Sequence, residues 1–206
     1  MSTLIFDFDG TLADTWPLVA DVSYKLTGVT PLPNNGIDLL RRLPLLKAVR
    51  ELGIPWWYIP KLALQTKHHM YPRMNEVKAF PGMVQELERL YKTGHRLFIL
   101  SSNDQKNIQV FLRQHHLEDY FSGVYGVFYG NVFYKKMGFR KILRQNHLRA
   151  ADCYYIGNES LDIHAAKQVG MKAIGVTWSG QDRGELEAER PQALIDQPKQ
   201  LSTVTI

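Results

Sequence analysis

The sequence predicts an α/β protein built on a doubly wound parallel sheet, with a small α-helical segment inserted after the first strand. Short apolar runs with little polar alternation recur along the chain, as expected for strands covered on both faces. Amphipathic segments separate most of these runs, and this alternation favours parallel strands joined by right-handed crossovers. Residues 15–79 interrupt the alternation.

The individual elements follow from apolar runs and from helix start and stop signals. Strands are predicted at residues 3–8, 95–101, 124–128, 153–157 and 172–178. Helices are predicted within residues 80–95, 103–117, 138–148 and 162–170. Pro81 and Gly94 fit the start and end of the first helix, and Asn103 or Asp104 suits the N-cap of the second. The tail is predicted as a short helix and a final segment packed on the main domain.

The interrupted stretch, residues 15–79, holds no convincing strand, and prolines break its helical patterns repeatedly. We therefore predict a core domain formed by residues 1–14 and 80–206, and a helical cap domain formed by residues 15–79. A segment inserted after the first strand is placed to cover the carboxyl edge of the sheet.

Composition narrows the class of protein. The chain has 206 residues and a net charge of +5, which attracts anions such as small phosphate esters. Its basic residues are spread along the chain without a Lys/Arg block, so we expect no nucleic-acid partner. No apolar run approaches the ~18–20 residues needed to span a bilayer, and the N-terminus lacks a secretory signal pattern. The single cysteine, Cys153, fits a buried residue in a protein of the reducing cytoplasm.

The stretch FDFDGTLAD carries the strongest chemical signal. Asp7 and Asp9 come at the end of the first strand and face the same way, at the sheet edge where open α/β proteins bind ligands. Two close carboxylates need a cation or a shared proton, and oxygen-only ligands suit Mg²⁺. Gly10 permits a tight turn, and Thr11 adds a hydroxyl.

Three further stretches place polar groups after later strands, and each has a plainer alternative. Ser101 in SSND can hold a phosphate oxygen, although such residues also simply cap helices. Lys135 and Lys136 lie between the third strand and the next helix, where a lysine can neutralise a carboxylate and a phosphate or form a solvated face. Asp162 can be a ligand or an N-cap.

Together these stretches resemble the haloacid dehalogenase superfamily of phosphohydrolases, across essentially the whole chain. DFDGTLAD is similar to its first motif, FILSSN to its second and YYIGNESLDIHAAKQVGM to its fourth. Within the superfamily the chain looks most like the phosphoglycolate-phosphatase-like branch, and the helical insertion resembles the family's small cap.

The resemblance implies a Mg²⁺-dependent phosphatase that forms an aspartyl-phosphate. Asp7 is the implied nucleophile and Asp9 the general acid and base. The implied catalytic residues are Asp7, Asp9, Ser101 and Lys135. The implied substrate contacts are Asp7, Gly10, Thr11, Ser101, Ser102 and Lys135. The implied metal ligands are Asp7, Asp9, Asn158 and Asp162. Lys136 is the alternative to Lys135, because the proline that often follows the family's lysine is replaced here by another lysine.

Asn158 departs from the family pattern, which usually has a metal-binding aspartate at this position. Its amide oxygen still suits Mg²⁺, but one negative charge is lost. The main alternative is therefore a weakly active or inactive protein that binds a phosphate ligand or regulates. A carbon–halogen hydrolase is opposed by Asp9, and a phosphomutase would use the same residues with a water-excluding cap.

The expected partner is a small phosphorylated metabolite, with no nucleic acid and no membrane, and the chain is expected to be a monomer or a homodimer. Substrate choice should reside in the insertion, where basic side chains can recognise a carboxylate or a second phosphate. These are Arg41, Arg42, Lys47, Arg50, Lys67 and Arg73. For any one of them a solvated helix face is the alternative.

Overall fold

The computed structural model of the chain describes residues 1–28, 55–126 and 132–204. Six parallel strands form one sheet in the order β5-β4-β1-β6-β7-β8. Their bounds are β1 (Thr3–Phe6), β4 (Arg96–Ser101), β5 (Phe121–Gly126), β6 (Cys153–Gly157), β7 (Lys172–Val176) and β8 (Ala193–Ile195). A separate antiparallel pair consists of β2 (Ala13–Asp14) and β3 (Lys78–Ala79).

Helices cover both faces of the sheet, which confirms the predicted doubly wound α/β fold. Their bounds are α1 (Trp16–Thr27), α2 (Ile59–Met70), α3 (Met83–Lys92), α4 (Gln105–Gln114), α5 (Val132–Gln145), α6 (Ser160–Gln168), α7 (Arg183–Ala188) and α8 (Leu201–Val204). Short 3₁₀ turns lie at residues 56–58, 71–76, 118–120, 150–152 and 198–200. No helix within the described ranges is long and apolar enough to cross a membrane.

The core has two apolar layers because neighbouring residues of β1 point to opposite faces of the sheet. Leu4 and Phe6 join the layer formed with α3 and α4, whereas Ile5 joins the layer formed with α5 and α6. All three side chains are fully buried. Strand β1 pairs with both β4 and β6, so the residues that follow it emerge at the centre of the sheet edge.

The structure differs from the sequence prediction in several bounds. The third strand begins at Phe121, earlier than expected, and residues 127–128 of the prediction lie outside the described residues. Helix α5 begins at Val132 rather than Gly138, so Lys135 and Lys136 lie inside a helix and not in the link before it. Strand β3 falls within residues 15–79, where no strand was expected, and β8 was missed in the tail. Both are very short, so they carry little apolar pattern.

Apart from β3, the secondary structure in the described residues of the insertion is helical, with α1 packed against α2. The Arg73 guanidinium bonds the carboxylates of Asp21 and Glu76 within it. The β2–β3 pair lies at the predicted domain boundary: β2 is where the chain enters the insertion, and β3 is where it leaves. Beside this pair, the Phe80 backbone N–H donates a hydrogen bond to the Leu12 carbonyl. Residues 29–54 lie outside the described residues, and with them Arg41, Arg42, Lys47 and Arg50.

Candidate active site

The loop after β1 is a tight turn that brings two carboxylates to the sheet edge. The Asp7 N–H donates to the Ile156 carbonyl at 2.8 Å, which extends the β1–β6 pairing by one residue. The Phe8 carbonyl then accepts from the N–H groups of residues 11, 12 and 13. Gly10 has a φ of 76°, a left-handed conformation that glycine adopts without strain.

The Lys135 ammonium forms ion pairs with both Asp7 and Asp162. Its nitrogen lies 2.9 Å from Oδ1 of Asp7 and 2.6 Å from Oδ2 of Asp162. The Tyr155 hydroxyl donates to the same Asp162 oxygen at 2.8 Å. Asp162 lies in the first turn of α6, where Glu159 is the N-cap residue, so capping is not its role in this structure. All four groups are buried.

Close packing of α5 on the sheet explains why Lys135 points inward. A Cβ at Gly138 would lie only 2.5 Å from Cδ1 of Leu100, so glycine allows the helix to approach β4. Residues three and four positions apart share a helix face, which places Lys135 beside Gly138 and the buried Phe139. Lys135 is 3% exposed, whereas Lys136 is half-buried. The structure therefore brings Lys135, not Lys136, to the carboxylates.

Burial and charge together perturb this cluster. Desolvation raises the pKa of the Asp7 carboxyl from 3.8 to about 7; the Lys135 ammonium lowers it, and the Asp162 carboxylate adds to the rise. Burial disfavours the charged form of Lys135, but the carboxylates of Asp162 and Asp7 hold its pKa above its usual range. Desolvation and the carboxylates of Asp162 and Asp7 also raise the pKa of Glu159, although that side chain reaches solvent. Burial is therefore the main cause of the raised pKa values of Asp7 and Glu159, and the neighbouring carboxylates add to it.

Asp9 faces β4 instead of Lys135. The Asn103 amide donates to both of its carboxylate oxygens, at 2.9 and 3.1 Å. The Ser101 hydroxyl lies 3.5 Å from Oδ2 of Asp9 and accepts from the Asn103 N–H at 2.9 Å. Burial raises the pKa of Asp9, and hydrogen bonds from Thr15 and Asn103 oppose the rise without cancelling it. A raised pKa suits a carboxyl that must deliver a proton.

Asn158, the residue after β6, contacts the loop that follows β1. Its amide oxygen accepts from the Thr11 hydroxyl at 3.1 Å, and both residues are buried. A Cβ at Gly10 would lie 2.4 Å from Nδ2 of Asn158, so only glycine permits this approach. The Thr11 carbonyl also accepts from the Trp178 indole at 3.0 Å. The predicted substrate contact Thr11 is therefore engaged with Asn158 and with the loop after β7.

Comparison with known proteins matches the arrangement to one family. A family model described as haloacid dehalogenase-like hydrolase covers residues 4–176. The chain belongs to the haloacid dehalogenase-like hydrolase family. It is 31% identical to a phosphoglycolate phosphatase of Synechococcus elongatus over 98% of this chain and 95% of that protein. A phosphoglycolate phosphatase of Vibrio cholerae is 28% identical over 88% of this chain and 86% of its own length.

Solved structures show the same haloacid dehalogenase-like fold. One is a haloacid dehalogenase-like hydrolase from Streptococcus pneumoniae, with a TM-score of 0.81, 20% identity, and coverage of 98% of this chain and 97% of that one. Another is a hydrolase from Pseudomonas syringae, with a TM-score of 0.76, 21% identity, and coverage of 98% and 97%. The family model and the phosphoglycolate phosphatase relatives confirm the resemblance seen in the sequence motifs, including the likeness to phosphoglycolate-phosphatase-like members. On the same grounds the chain is an enzyme of the phosphoric monoester hydrolase type.

The donor atoms of this haloacid dehalogenase-like site fit a small, hard cation. Asp7, Asp9, Glu159 and Asp162 supply an excess of carboxylates over the buried Lys135, and every candidate ligand atom is oxygen. Across residues 1–28, 55–126 and 132–204 no three His, Cys, Asp or Glu side chains are grouped as a metal cage. At this site Lys135 holds one oxygen of Asp7 and one of Asp162. The buried Ser179 hydroxyl, unpaired among the described atoms, lies beside Gly10 on the side of Asn158.

The structure brings together most of the residues that the motifs predicted for this haloacid dehalogenase-like enzyme. Asp7, Lys135 and Asp162 form one cluster, and Asp9 with Ser101 forms a second beside it. Ser102 contributes its backbone carbonyl to the site, where it accepts a hydrogen bond from the Lys67 ammonium. Sequence reasoning missed Tyr155 and Asn107, and treated Asn103 as a helix cap. Asn103 precedes the N-cap Asp104, so helix periodicity gave no signal that links it to Asn107.

Proposed function

We propose that the protein is a Mg²⁺-dependent phosphatase that hydrolyses a small phosphomonoester through an aspartyl-phosphate on Asp7. The observation that carries the proposal is the meeting of Asp7, Asp9, Ser101 and Lys135 at the carboxyl edge of one sheet. A buried carboxylate with a paired lysine is a suitable nucleophile, and a neighbouring carboxyl with a raised pKa is a suitable acid.

The chemistry divides into two displacements at phosphorus. In the first, an Asp7 oxygen bonds to phosphorus, the bond to the leaving oxygen breaks, and Asp9 protonates that oxygen. In the second, Asp9 takes a proton from water as the water oxygen attacks phosphorus, which releases inorganic phosphate and restores Asp7. Lys135 and Ser101 bind phosphate oxygens, and Lys135 also favours the ionised form of Asp7 against the effect of burial.

The metal in this proposal is held by the Asp7 carboxylate, the Asp9 backbone carbonyl, the Asn158 amide oxygen and the Asp162 carboxylate. When bound, Mg²⁺ offsets negative charge between the nucleophile and the phosphate. Because Asn158 is neutral, we propose that the metal binds more weakly than it would to an aspartate here, by roughly 10- to 100-fold.

The substrate we propose is a small phosphomonoester that carries a second anionic group. Lys67 of α2 is the basic side chain of the described insertion that lies at the site: its ammonium bonds the Ser102 carbonyl and interacts with Asp9. Arg73 is already occupied by Asp21 and Glu76. The relatives named phosphoglycolate phosphatase make phosphoglycolate the first compound to test.

The cellular setting in this proposal is a reducing cytoplasm, which suits the buried free thiol of Cys153. The protein acts there as a monomer or a homodimer, with residues 15–79 as a cap domain over the site.

The deciding experiment is hydrolysis of phosphoglycolate and of an aryl phosphate across a Mg²⁺ titration with a chelator control. Wild type should turn over, Asp7→Asn should lose activity by at least about 10³-fold, and Asn158→Asp should saturate at lower Mg²⁺. A wild type that is silent at every Mg²⁺ concentration, together with an active Asn158→Asp variant, would contradict the proposal. That result would identify a phosphate-binding or regulatory relative instead.

A further inference from the structure

A buried chain of amide groups connects the proposed general acid to the helical insertion. The Asn103 amide nitrogen donates to both oxygens of Asp9, at 2.9 and 3.1 Å. The Asn107 amide nitrogen donates to the Asn103 side-chain oxygen at 3.0 Å and to the Lys67 backbone carbonyl at 3.0 Å. Asn103 and Asn107 are 4% and 1% exposed.

The surroundings of Asn103 fix the direction of its amide. Its side-chain oxygen accepts from the Asp104 N–H at 2.7 Å and from Asn107, and both of these groups can only donate there. A rotated amide would place its oxygen against the Asp9 carboxylate and its nitrogen against two donors. The observed orientation is therefore the one that satisfies these groups, and it directs the Asn103 amide nitrogen at both oxygens of Asp9.

The N-cap of helix α4 is neither of these asparagines. Asp104 is the N-cap residue, and its carboxylate accepts from the Lys106 N–H at 2.8 Å. The helix therefore has a capping side chain besides Asn103, whose oxygen accepts from the Asp104 N–H, while the amide nitrogens of Asn103 and Asn107 donate to Asp9 and to α2. In a buried setting such hydrogen bonds are strong and directional, and a partly satisfied network is costly.

We propose that Asn103 is the positioning residue for Asp9, and that Asn107 links this position to the docking of α2 on the sheet edge. The inference rests on the proposed function, because it assigns Asp9 as the acid that protonates the leaving oxygen. Asn103 holds the Asp9 carboxyl at a fixed rotation through two hydrogen bonds. The Asn107 amide nitrogen donates both to Asn103 and to the Lys67 carbonyl of α2, so one side chain contacts the docked insertion and the residue that aligns the acid.

Leaving-group dependence tests the inference. An alkyl phosphate such as phosphoglycolate needs its leaving oxygen protonated, whereas para-nitrophenyl phosphate releases a stable phenolate with little help. We expect Asn103→Leu to lower kcat/KM roughly 10- to 100-fold for phosphoglycolate, part of the ~10²–10⁴ of general acid catalysis, and by less than ~3-fold for the aryl phosphate. Asn107→Leu should show the same selectivity with a smaller loss. Gln109→Ala, an exposed position on the same helix, should change neither.

Two further variants make the outcome decisive. Asn103→Asp keeps the shape of the side chain but removes both donors, so it should reproduce the selectivity even if Asn103→Leu folds poorly. In an Asp9→Asn background, Asn103→Leu should add no further loss on phosphoglycolate, because it acts through Asp9. Equal losses on both substrates, or full additivity in that background, would overturn the inference while leaving the phosphatase intact. An Asp9→Asn variant without leaving-group selectivity would instead overturn the proposed role of Asp9.

Discussion

Lys135 and Lys136 are adjacent in sequence, yet helix α5 gives them different surroundings. Lys135 contacts two buried carboxylates, whereas Lys136 lies on a half-exposed part of the helix. We expect Lys135→Met to lower kcat by about 10²–10³-fold, the usual effect of losing a charge-stabilising donor, and Lys136→Met to change it by less than ~3-fold. Steady-state kinetics on phosphoglycolate distinguishes them. Comparable losses in the two variants would show that the buried contact is not the functional one.

The raised pKa of Asp7 predicts how the stability of the folded protein changes with pH. Because folding raises this pKa from 3.8 to about 7, the folded protein binds more protons than the unfolded chain between these values. Stability contributed by this group is therefore greatest at low pH and falls as pH rises towards 7. In the absence of metal, Asp7→Asn should raise Tm at pH 8, on the order of 5 °C, and by much less at pH 5.

The control for this measurement is an exposed carboxyl, and Asp119→Asn serves. It should leave Tm nearly unchanged at both pH values, since a substitution at an exposed position changes stability little. A stability gain in Asp7→Asn that is equal at pH 5 and pH 8 would contradict the raised pKa and would point to a steric effect.

The positions of Asp7, Asp9 and Ser101 at the sheet edge were predictable from the sequence, because their motifs lie at the ends of apolar strands. Their partners were not. Asn103 lies 94 residues after Asp9, and its donors meet that carboxylate only because β1 and β4 are neighbours in the sheet. The local sequence SSND predicts a helix cap, because capping depends on residues that are neighbours in sequence. The contact between Asn103 and Asp9 depends instead on the order of the strands, which no local pattern shows.

At the scale of elements, apolar runs predicted the central strands well because β1, β4, β6 and β7 are buried on both faces. The short strands β2, β3 and β8 were not predicted, since two or three residues cannot show a period. The early start of α5 was missed for another reason. Lys135 and Lys136 are polar by type, and only the packed sheet shows that one of them faces inward.

Helix α2 leads to a prediction about substrate choice. Its Lys67 lies beside the Ser102 carbonyl and the Asp9 carboxylate, and burial lowers the pKa of this lysine. We expect Lys67→Met to raise KM for phosphoglycolate about 10-fold or more, the usual cost of losing a charged hydrogen bond, with less than ~3-fold change for a phosphomonoester without a second charge.

The matched control for Lys67 is Arg73→Met, which removes a basic side chain of the same insertion that is paired with Asp21 and Glu76. Exposed ion pairs contribute ~0–1 kcal/mol, so this variant should keep both KM values and most of its stability. Should Lys67→Met impair both substrates equally, Lys67 would act on the general acid or on docking rather than on the second anionic group.

At the scale of the whole molecule, folding gathers carboxylates that are far apart in sequence. Asp7 and Asp9 follow β1, while Glu159 and Asp162 follow β6. The fold pairs Asp7 and Asp162 with one buried lysine and brings Asp9 and Glu159 close enough to interact with them. In the unfolded chain these charges are separated and solvated. A cation that binds the gathered carboxylates therefore binds the folded state selectively, and its binding energy adds to the stability of the whole domain.

Thermal unfolding in a Mg²⁺ titration measures this linkage without any substrate. We expect Tm to rise with Mg²⁺ and to keep rising logarithmically, with about 2.7 kcal/mol of added stability at a hundredfold excess over Kd. Asp7→Asn and Asp162→Asn should each flatten the rise, because each removes a charge from the cluster, while Asp119→Asn should leave it unchanged. A Tm that does not respond to Mg²⁺ in wild type but responds in Asn158→Asp would show that the neutral side chain at position 158 has abolished the site, not merely weakened it.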